Sequence, residues 1–86
     1  MSEADRLFYE LGYRKIQVER NSIVYINIKY NEKIEFDLDY KQIICETNIG
    51  TSFPLTMQEL QAINMKVKEL GWLWVEFKQF YKKRSK

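Results

Sequence analysis

Residues 15–47 constrain the fold most, because apolar and polar side chains alternate there with a period of two. Such alternation is typical of antiparallel strands that bury one face of a sheet. The apolar positions form three sets, which are Ile16 and Val18; Val24, Ile26, Ile28 and Tyr30; and Ile34, Phe36, Leu38 and Tyr40. We predict three strands and leave a fourth, over residues 42–46, open. The adjacent Ile43 and Ile44 would require a bulge or burial on both faces there.

This assignment of the buried face also predicts how the second and third strands pair. Residues directly opposite each other share a face of the sheet, so Phe36 should face Ile28 across a loop formed by residues 31–33. The same register places Lys29 opposite Glu35. A cross-strand ion pair is therefore expected on the solvent side of the sheet.

Helical signals flank the alternating region. At the N-terminus, Ser2 is a suitable N-cap, and apolar residues at Ala4, Leu7, Phe8 and Leu11 recur at the spacing of one helical face. Gly12 is available as a left-handed stop. We predict a first helix over about residues 3–11.

Residues 47–54 contain turn-forming residues and the only proline, so the sheet should end there. The strongest local signal in the sequence, which indicates the start of a helix, follows directly. Thr56 followed three residues later by Glu59 forms a capping box, with Leu55 and Leu60 placed for a hydrophobic staple. A second helix should therefore begin at Met57 and run at least to residue 70. The predicted fold class is α+β: a short N-terminal helix, an antiparallel meander of three or four strands, and a C-terminal helix packed on one sheet face.

Apolar residues continue in a heptad-like series through Gly71, at Leu60, Ile63, Val67, Leu70, Trp74, Phe77 and Tyr81. The series favours a helix through about residue 82 that is kinked or broken at Gly71. The alternatives are a segment that folds back on the body, or an edge strand over residues 72–77. The whole chain of 86 residues is expected to form one domain, with residues 82–86 as a flexible basic tail.

The C-terminal aromatic residues support three interpretations. In the first, they close the core, as aromatic stripes at helical spacing usually do. In the second, they form a surface for self-association or for a partner protein. In the third, they bind nucleic acid together with basic residues. The candidate protein interface consists of Trp72, Trp74, Phe77, Phe80 and Tyr81. The candidate nucleic-acid contacts are Lys78, Lys82, Lys83, Arg84 and Lys86. Residues 66–86 hold seven Lys/Arg and two Glu, whereas residues 1–65 hold seven Lys/Arg and ten Asp/Glu, so a basic end follows an acidic body.

Catalytic and metal-binding patterns are not found in the sequence. The chain has no histidine and a single cysteine, Cys45, so neither an internal disulfide nor the usual zinc site is possible. Glu35, Asp37 and Asp39 alternate along one strand, where they line up without converging on a metal or a substrate. We expect no enzyme, no catalytic residue and no cofactor. The apolar runs are too short for a membrane span, so a cytoplasmic protein without membrane contact is expected.

The two helical ends of the chain carry a resemblance. ADRLFYELGY (residues 4–13) and TMQELQAINMKVKELGW (residues 56–72), on either side of a strand-rich middle, resemble a group of small proteins of unknown function from phages and prophages of Gram-positive bacteria. The resemblance implies a bacterial host cell and brings no catalytic residues. A small interaction protein is therefore the leading hypothesis, and a nucleic-acid-binding accessory protein is the alternative.

Overall fold

A computed structural model describes residues 2–72, apart from the side chains of Gln17 and Val18. The elements are α1 (Glu3–Glu10), β1 (Arg14–Glu19), β2 (Ser22–Asn27), β3 (Glu32–Asp37), β4 (Gln42–Thr47) and α2 (Met57–Glu69). The four strands form one antiparallel sheet in the order β1-β2-β3-β4. The α+β prediction is confirmed, and the fourth strand is present. The predictions for residues 73–86, including the flexible basic tail at 82–86, lie outside the described residues.

The meander has a ten-residue period that hydropathy alone does not reveal. The strands β2, β3 and β4 begin at residues 22, 32 and 42, and the turns between them occupy residues 28–31 and 38–41. Each turn ends on a residue in the left-handed region, Asn31 with φ 55° and Lys41 with φ 54°. An Asn or Asp also closes each turn. Asn27 Oδ1 accepts a hydrogen bond from Tyr30 N, and Asp37 Oδ1 accepts from Tyr40 N.

These turns overturn the predicted register. Phe36 lies opposite Ile23 instead of Ile28, and Glu35 lies opposite Val24 instead of Lys29. The cause is that β2 stops at Asn27, so the apolar residues that follow it belong to the turn. The apolar alternation therefore extends past the end of the strand, and Ile28 and Tyr30 lie in the turn.

Because of the same shift, the side chains of β2 that enter the core are those that alternate with Val24 and Ile26. Tyr25, expected on the polar face, is fully buried and stacks on Phe8 of α1 with ring centroids 4.0 Å apart. Phe36 meets both rings edge-on, and Trp72 packs against Phe36 with centroids 6.2 Å apart. The core cluster consists of Phe8, Tyr13, Tyr25, Ile34, Phe36, Ala62, Ile63 and Trp72. Both helices therefore lie on one face of the sheet, as predicted.

Both helices end in the same way. In α1, Gly12 N donates to Tyr9 O and Tyr13 N donates to Phe8 O. In α2, the same two bonds run from Gly71 N to Lys68 O and from Trp72 N to Val67 O. This is the Schellman arrangement, and each glycine has the positive φ that it requires, 97° at Gly12 and 76° at Gly71. The predicted break at Gly71 is confirmed, and each motif turns an aromatic residue into the core.

Candidate interaction surface

The face of the sheet opposite the helices is the main candidate surface of the described chain, and we call it the open face. Antiparallel pairing arranges its side chains in three rows across the strands. The rows are Arg14, Ile26, Lys33 and Glu46; Ile16, Val24, Glu35 and Ile44; and Glu19, Ser22, Asp37 and Gln42. No helix within residues 2–72 covers these rows.

Aliphatic side chains form one part of the open face. Val24, at its centre, is only 3% exposed although it lies on the side away from the helices, whereas Ile16 beside it is 42% exposed. Ile26 and Ile44 are half-buried. An apolar area on an otherwise polar sheet face is typical of a surface that binds another protein.

An ion-pair cluster crosses the open face beside these aliphatic residues. Lys33 Nζ lies 3.1 Å from Glu46 Oε2 and 3.6 Å from Glu35 Oε1. The hydrogen bond with Glu46 raises the pKa of Lys33 despite the opposing effect of burial, so the ammonium stays charged. The rows contain two basic and four acidic residues, but the Arg14 guanidinium lies 4.7 Å from the centre of the Tyr9 ring of α1. Lys33 therefore stands against four carboxylates, which leaves the open face with a net charge of −3.

Two shallow concavities lie along the open face. One of about 220 Å³ is bounded by Val24, Ile26 and Glu35, and one of about 520 Å³ extends from Ile26 to the loop after β4. Ile28 and Ile49 stand beside the larger concavity and are 75% and 78% exposed. The apolar area therefore continues from the sheet onto its turn end.

A second group of polar residues joins the two helices to the sheet and is structural. The Tyr25 hydroxyl donates to Asp5 Oδ1 at 2.5 Å, and Lys66 Nζ lies 3.4 Å from the same oxygen and 3.4 Å from Glu69 Oε1. Burial alone would raise the pKa of Asp5, but the hydrogen bonds from Tyr25 and Lys15 together with the charge of Lys66 lower it. Burial would likewise raise the pKa of Glu69, but the hydrogen bond from Ala4 N helps to lower it, and the net result is a lowered pKa.

Tyr13 binds two carboxylates at the other end of α2. Its hydroxyl lies 2.8 Å from Glu59 Oε2 and 3.3 Å from Glu32 Oε1. Glu59 is also the capping-box residue of α2, since its Oε1 accepts from Thr56 N and its own N donates to Thr56 Oγ1. Burial, followed by the negative charge of Glu59, raises the pKa of the half-buried Cys45 thiol. These groups stabilise the helix start and do not activate the thiol.

The acidic residues predicted to line one strand have separate partners. Glu35 pairs with Lys33 on the open face. Asp37 closes the second turn, and Asp39 accepts a hydrogen bond from Asn21 Nδ2 at 2.7 Å. Within residues 2–72, no cluster of three or more Cys, Asp or Glu is arranged to hold a metal ion.

The structure places one residue of the predicted protein interface. Trp72 is 6% exposed within the core of its own chain, so little of its surface is left for a partner. The other predicted interface residues are Trp74, Phe77, Phe80 and Tyr81, and the predicted nucleic-acid contacts are Lys78, Lys82, Lys83, Arg84 and Lys86. These two sets lie outside the described residues.

A sheet face turned away from the helices was predicted from the sequence, but the apolar residues that lie on it were not. Ile16, Val24 and Ile26 carry the apolar alternation, which was assigned to the core. The available signal was the run Ile23-Val24-Tyr25-Ile26, in which residues of both parities are apolar. Such a run indicates a strand with apolar side chains on both faces of the sheet.

Comparison of the chain with protein-family models, with curated proteins and with solved structures finds no match. The helices of residues 2–72 include none with the length and apolarity required to cross a membrane.

Proposed function

We propose that this chain is a small non-enzymatic interaction protein, a phage or prophage accessory protein that binds a host or phage protein, or itself, through its C-terminal aromatic region. The observation that carries the interaction role is the apolar open face, where Ile16 is 42% exposed and no helix within residues 2–72 covers the aliphatic residues. The phage assignment rests on the resemblance of residues 4–13 and 56–72 alone.

The C-terminal part of the proposal rests on the sequence that follows the described residues. Trp72, the last residue that the structure describes, packs into the core. The next residues still supply Trp74, Phe77, Phe80 and Tyr81. Aromatic residues are enriched at protein interfaces because they bury a large area with few rotatable bonds. We therefore assign the interaction to this segment.

The polar residues of the described part support a non-enzymatic role, because their partners are structural. The carboxylates of Asp5, Glu59 and Glu69 join helices to the sheet or cap α2. Every buried side-chain nitrogen or oxygen among the described residues has a hydrogen-bond partner. We place the protein in the cytoplasm of the host cell, since a lone half-buried thiol suits a reducing compartment.

The test compares the full chain with its Trp74→Ala, Phe77→Ala variant. Static light scattering over a concentration series measures self-association, and capture from host-cell lysate measures partner binding. The matched control is Tyr40→Ala, which removes a 75% exposed aromatic residue at the opposite end of the sheet from Ile28. We expect the double variant to lose self-association or a captured protein that the control retains. A chain that is monomeric and captures the same proteins in all three forms would contradict the proposal.

A further inference from the structure

We propose that the open face is the receiving surface for residues 73–86 of a second copy of this chain. The inference rests on the proposed function and specifies how the chain would associate with itself. Two chains that each place this segment on the open face of the other would form a closed dimer. Three observations support this dimer: the charge of the open face, its apolar surface and the position of Trp72.

Charge is the first observation. The open face has a net charge of −3, from Lys33 against Glu19, Glu35, Asp37 and Glu46, because the Arg14 guanidinium lies against Tyr9 of α1. Residues 73–86 contain five basic residues and one glutamate, a net charge of +4. Opposite charges on two surfaces favour their encounter and their correct pairing. The same negative charge repels nucleic acid from the open face.

Apolar surface is the second observation. Ile16 and the partly exposed Ile26 and Ile44 stand beside acidic side chains on the open face. Residues 73–86 combine the same two properties in complementary form, since they contain four aromatic residues and five basic ones. Trp74 and Phe77 can bury aliphatic surface while Lys78 reaches a carboxylate.

The position of Trp72 is the third observation, and it favours a second copy over the same chain. Trp72 packs against Phe36, whose side chain lies on the helix side of β3. Glu35, the next residue along β3, belongs to the open face. The segment after Trp72 therefore starts on the far side of its own sheet, and it would have to pass around an edge to reach its own open face. A second copy whose open face lies beside that starting point receives the segment without such a path.

The test is a complementation experiment with full-length variants. The face variant Ile16→Lys adds a positive charge to the open face, and the long aliphatic part of lysine still covers Val24. The segment variant is Trp74→Ala, Phe77→Ala. Met57→Lys is the matched control, because it adds the same charge at a 68% exposed residue of α2, on the helix side of the sheet. Circular dichroism and thermal unfolding verify that all variants fold.

We expect the face variant and the segment variant to associate about tenfold or more weakly than the full chain, the usual effect of losing one buried aliphatic or aromatic side chain. Met57→Lys should associate like the unmodified chain. A mixture of the two weakened variants should form a heterodimer with one intact contact, between the face of one variant and the segment of the other, whereas each variant alone has two damaged contacts. Tighter association in the mixture than in either variant alone, measured by light scattering, is the result that the proposal requires.

Failure of this inference can be distinguished from failure of the proposed function. If the face variant associates as strongly as the unmodified chain while the segment variant does not, the receiving surface is wrong and the proposed function stands. If the mixture stays monomeric, the segment pairs with something other than the open face, and the inference is wrong again. If the unmodified chain is monomeric throughout, the inference is wrong, and capture from lysate decides the proposed function separately. If the segment variant associates like the unmodified chain, self-association through residues 73–86, which both proposals state, is wrong.

Discussion

The hydroxyl of Tyr25 donates a 2.5 Å hydrogen bond to Asp5 and thereby joins the centre of β2 to the first turn of α1. Replacing Tyr25 by Phe keeps the ring that stacks on Phe8 and removes only this bond. A hydrogen bond to a buried charged group contributes about 1.5–3 kcal/mol, so we expect Tyr25→Phe to lower the free energy of unfolding by that amount. Urea unfolding of both proteins measures this decrease in the free energy of unfolding.

The control for this change is Tyr40→Phe, at a tyrosine that is 75% exposed and lies in the turn after β3. Removing the hydroxyl of Tyr40 should change the free energy of unfolding by less than about 0.5 kcal/mol, as surface substitutions usually do. Equal losses at Tyr25 and Tyr40 would show that the hydrogen bond with Asp5 contributes nothing specific.

Acid should destabilise the protein through Asp5 and Glu69. The pKa of each is lower in the folded chain than its ordinary value of 3.8 or 4.5. A lowered folded pKa contributes stability that is present above the ordinary pKa and is lost as the pH falls through the folded value. We therefore expect the free energy of unfolding to be constant near neutral pH and to decrease below about pH 4.5. Urea unfolding at a series of pH values measures this decrease.

Lys66 provides the matched test of that pH dependence. Its ammonium helps to lower the pKa of both carboxylates, so Lys66→Met should reduce the loss of stability in acid. Lys68→Met, at an exposed residue of the same helix, should leave the acid profile unchanged. An identical profile for both variants would indicate that Lys66 does not hold the carboxylates in their charged form.

Local signals in the sequence predicted the helices, whereas the strand register required information from distant residues. Thr56 and Glu59 lie three residues apart and cap α2 by bonds between themselves, and Gly12 and Gly71 set the helix ends through their own backbone conformation. The fold class and the helix bounds therefore follow from short stretches of the chain.

The face of β2 that enters the core depends instead on what packs against it. Val24 and Tyr25 are both apolar enough to be buried, and both are buried. Tyr25 takes the helix side because its ring stacks on Phe8 and its hydroxyl reaches Asp5, residues of another element. Hydropathy alone cannot distinguish the two faces, and for the same reason it could not show that Val24 and Ile26 lie on the open face.

Alkaline pH should destabilise the protein through Tyr13 and Tyr25. Burial, followed by hydrogen bonds to Glu59 and Asp5 respectively, raises the pKa of both phenols above the ordinary 10.0. A raised folded pKa contributes stability that is complete below the ordinary pKa and is lost as the pH rises above it. We expect the free energy of unfolding to decrease above about pH 10, and the Tyr13→Phe, Tyr25→Phe variant to show a smaller decrease. Tyrosinate absorbance should rise together with unfolding for these two residues.

Trp72 should be a residue of the core. Its ring packs against Phe36, and Trp72→Ala should lower the free energy of unfolding by about 3–5 kcal/mol, as for other large buried aromatic residues. Trp72→Phe should recover most of that loss because it refills much of the volume. Met57→Ala, at an exposed residue of α2, is the control. A loss below about 1 kcal/mol for Trp72→Ala would contradict its burial, because substitutions of that size are typical of the surface.

The two glycine helix ends should respond differently to alanine. At Gly71 the φ of 76° strains any side chain, yet a Cβ there would contact no atom of residues 2–72 within 4 Å. We expect Gly71→Ala to cost about 1–2 kcal/mol, the penalty of the left-handed conformation, and Gly71→Asn to cost less. At Gly12 a Cβ would also lie 3.3 Å from Asn27 Nδ2, which donates to Leu11 O. Gly12→Ala should therefore cost more than Gly71→Ala, and equal values in urea unfolding would show that the Asn27 contact adjusts freely.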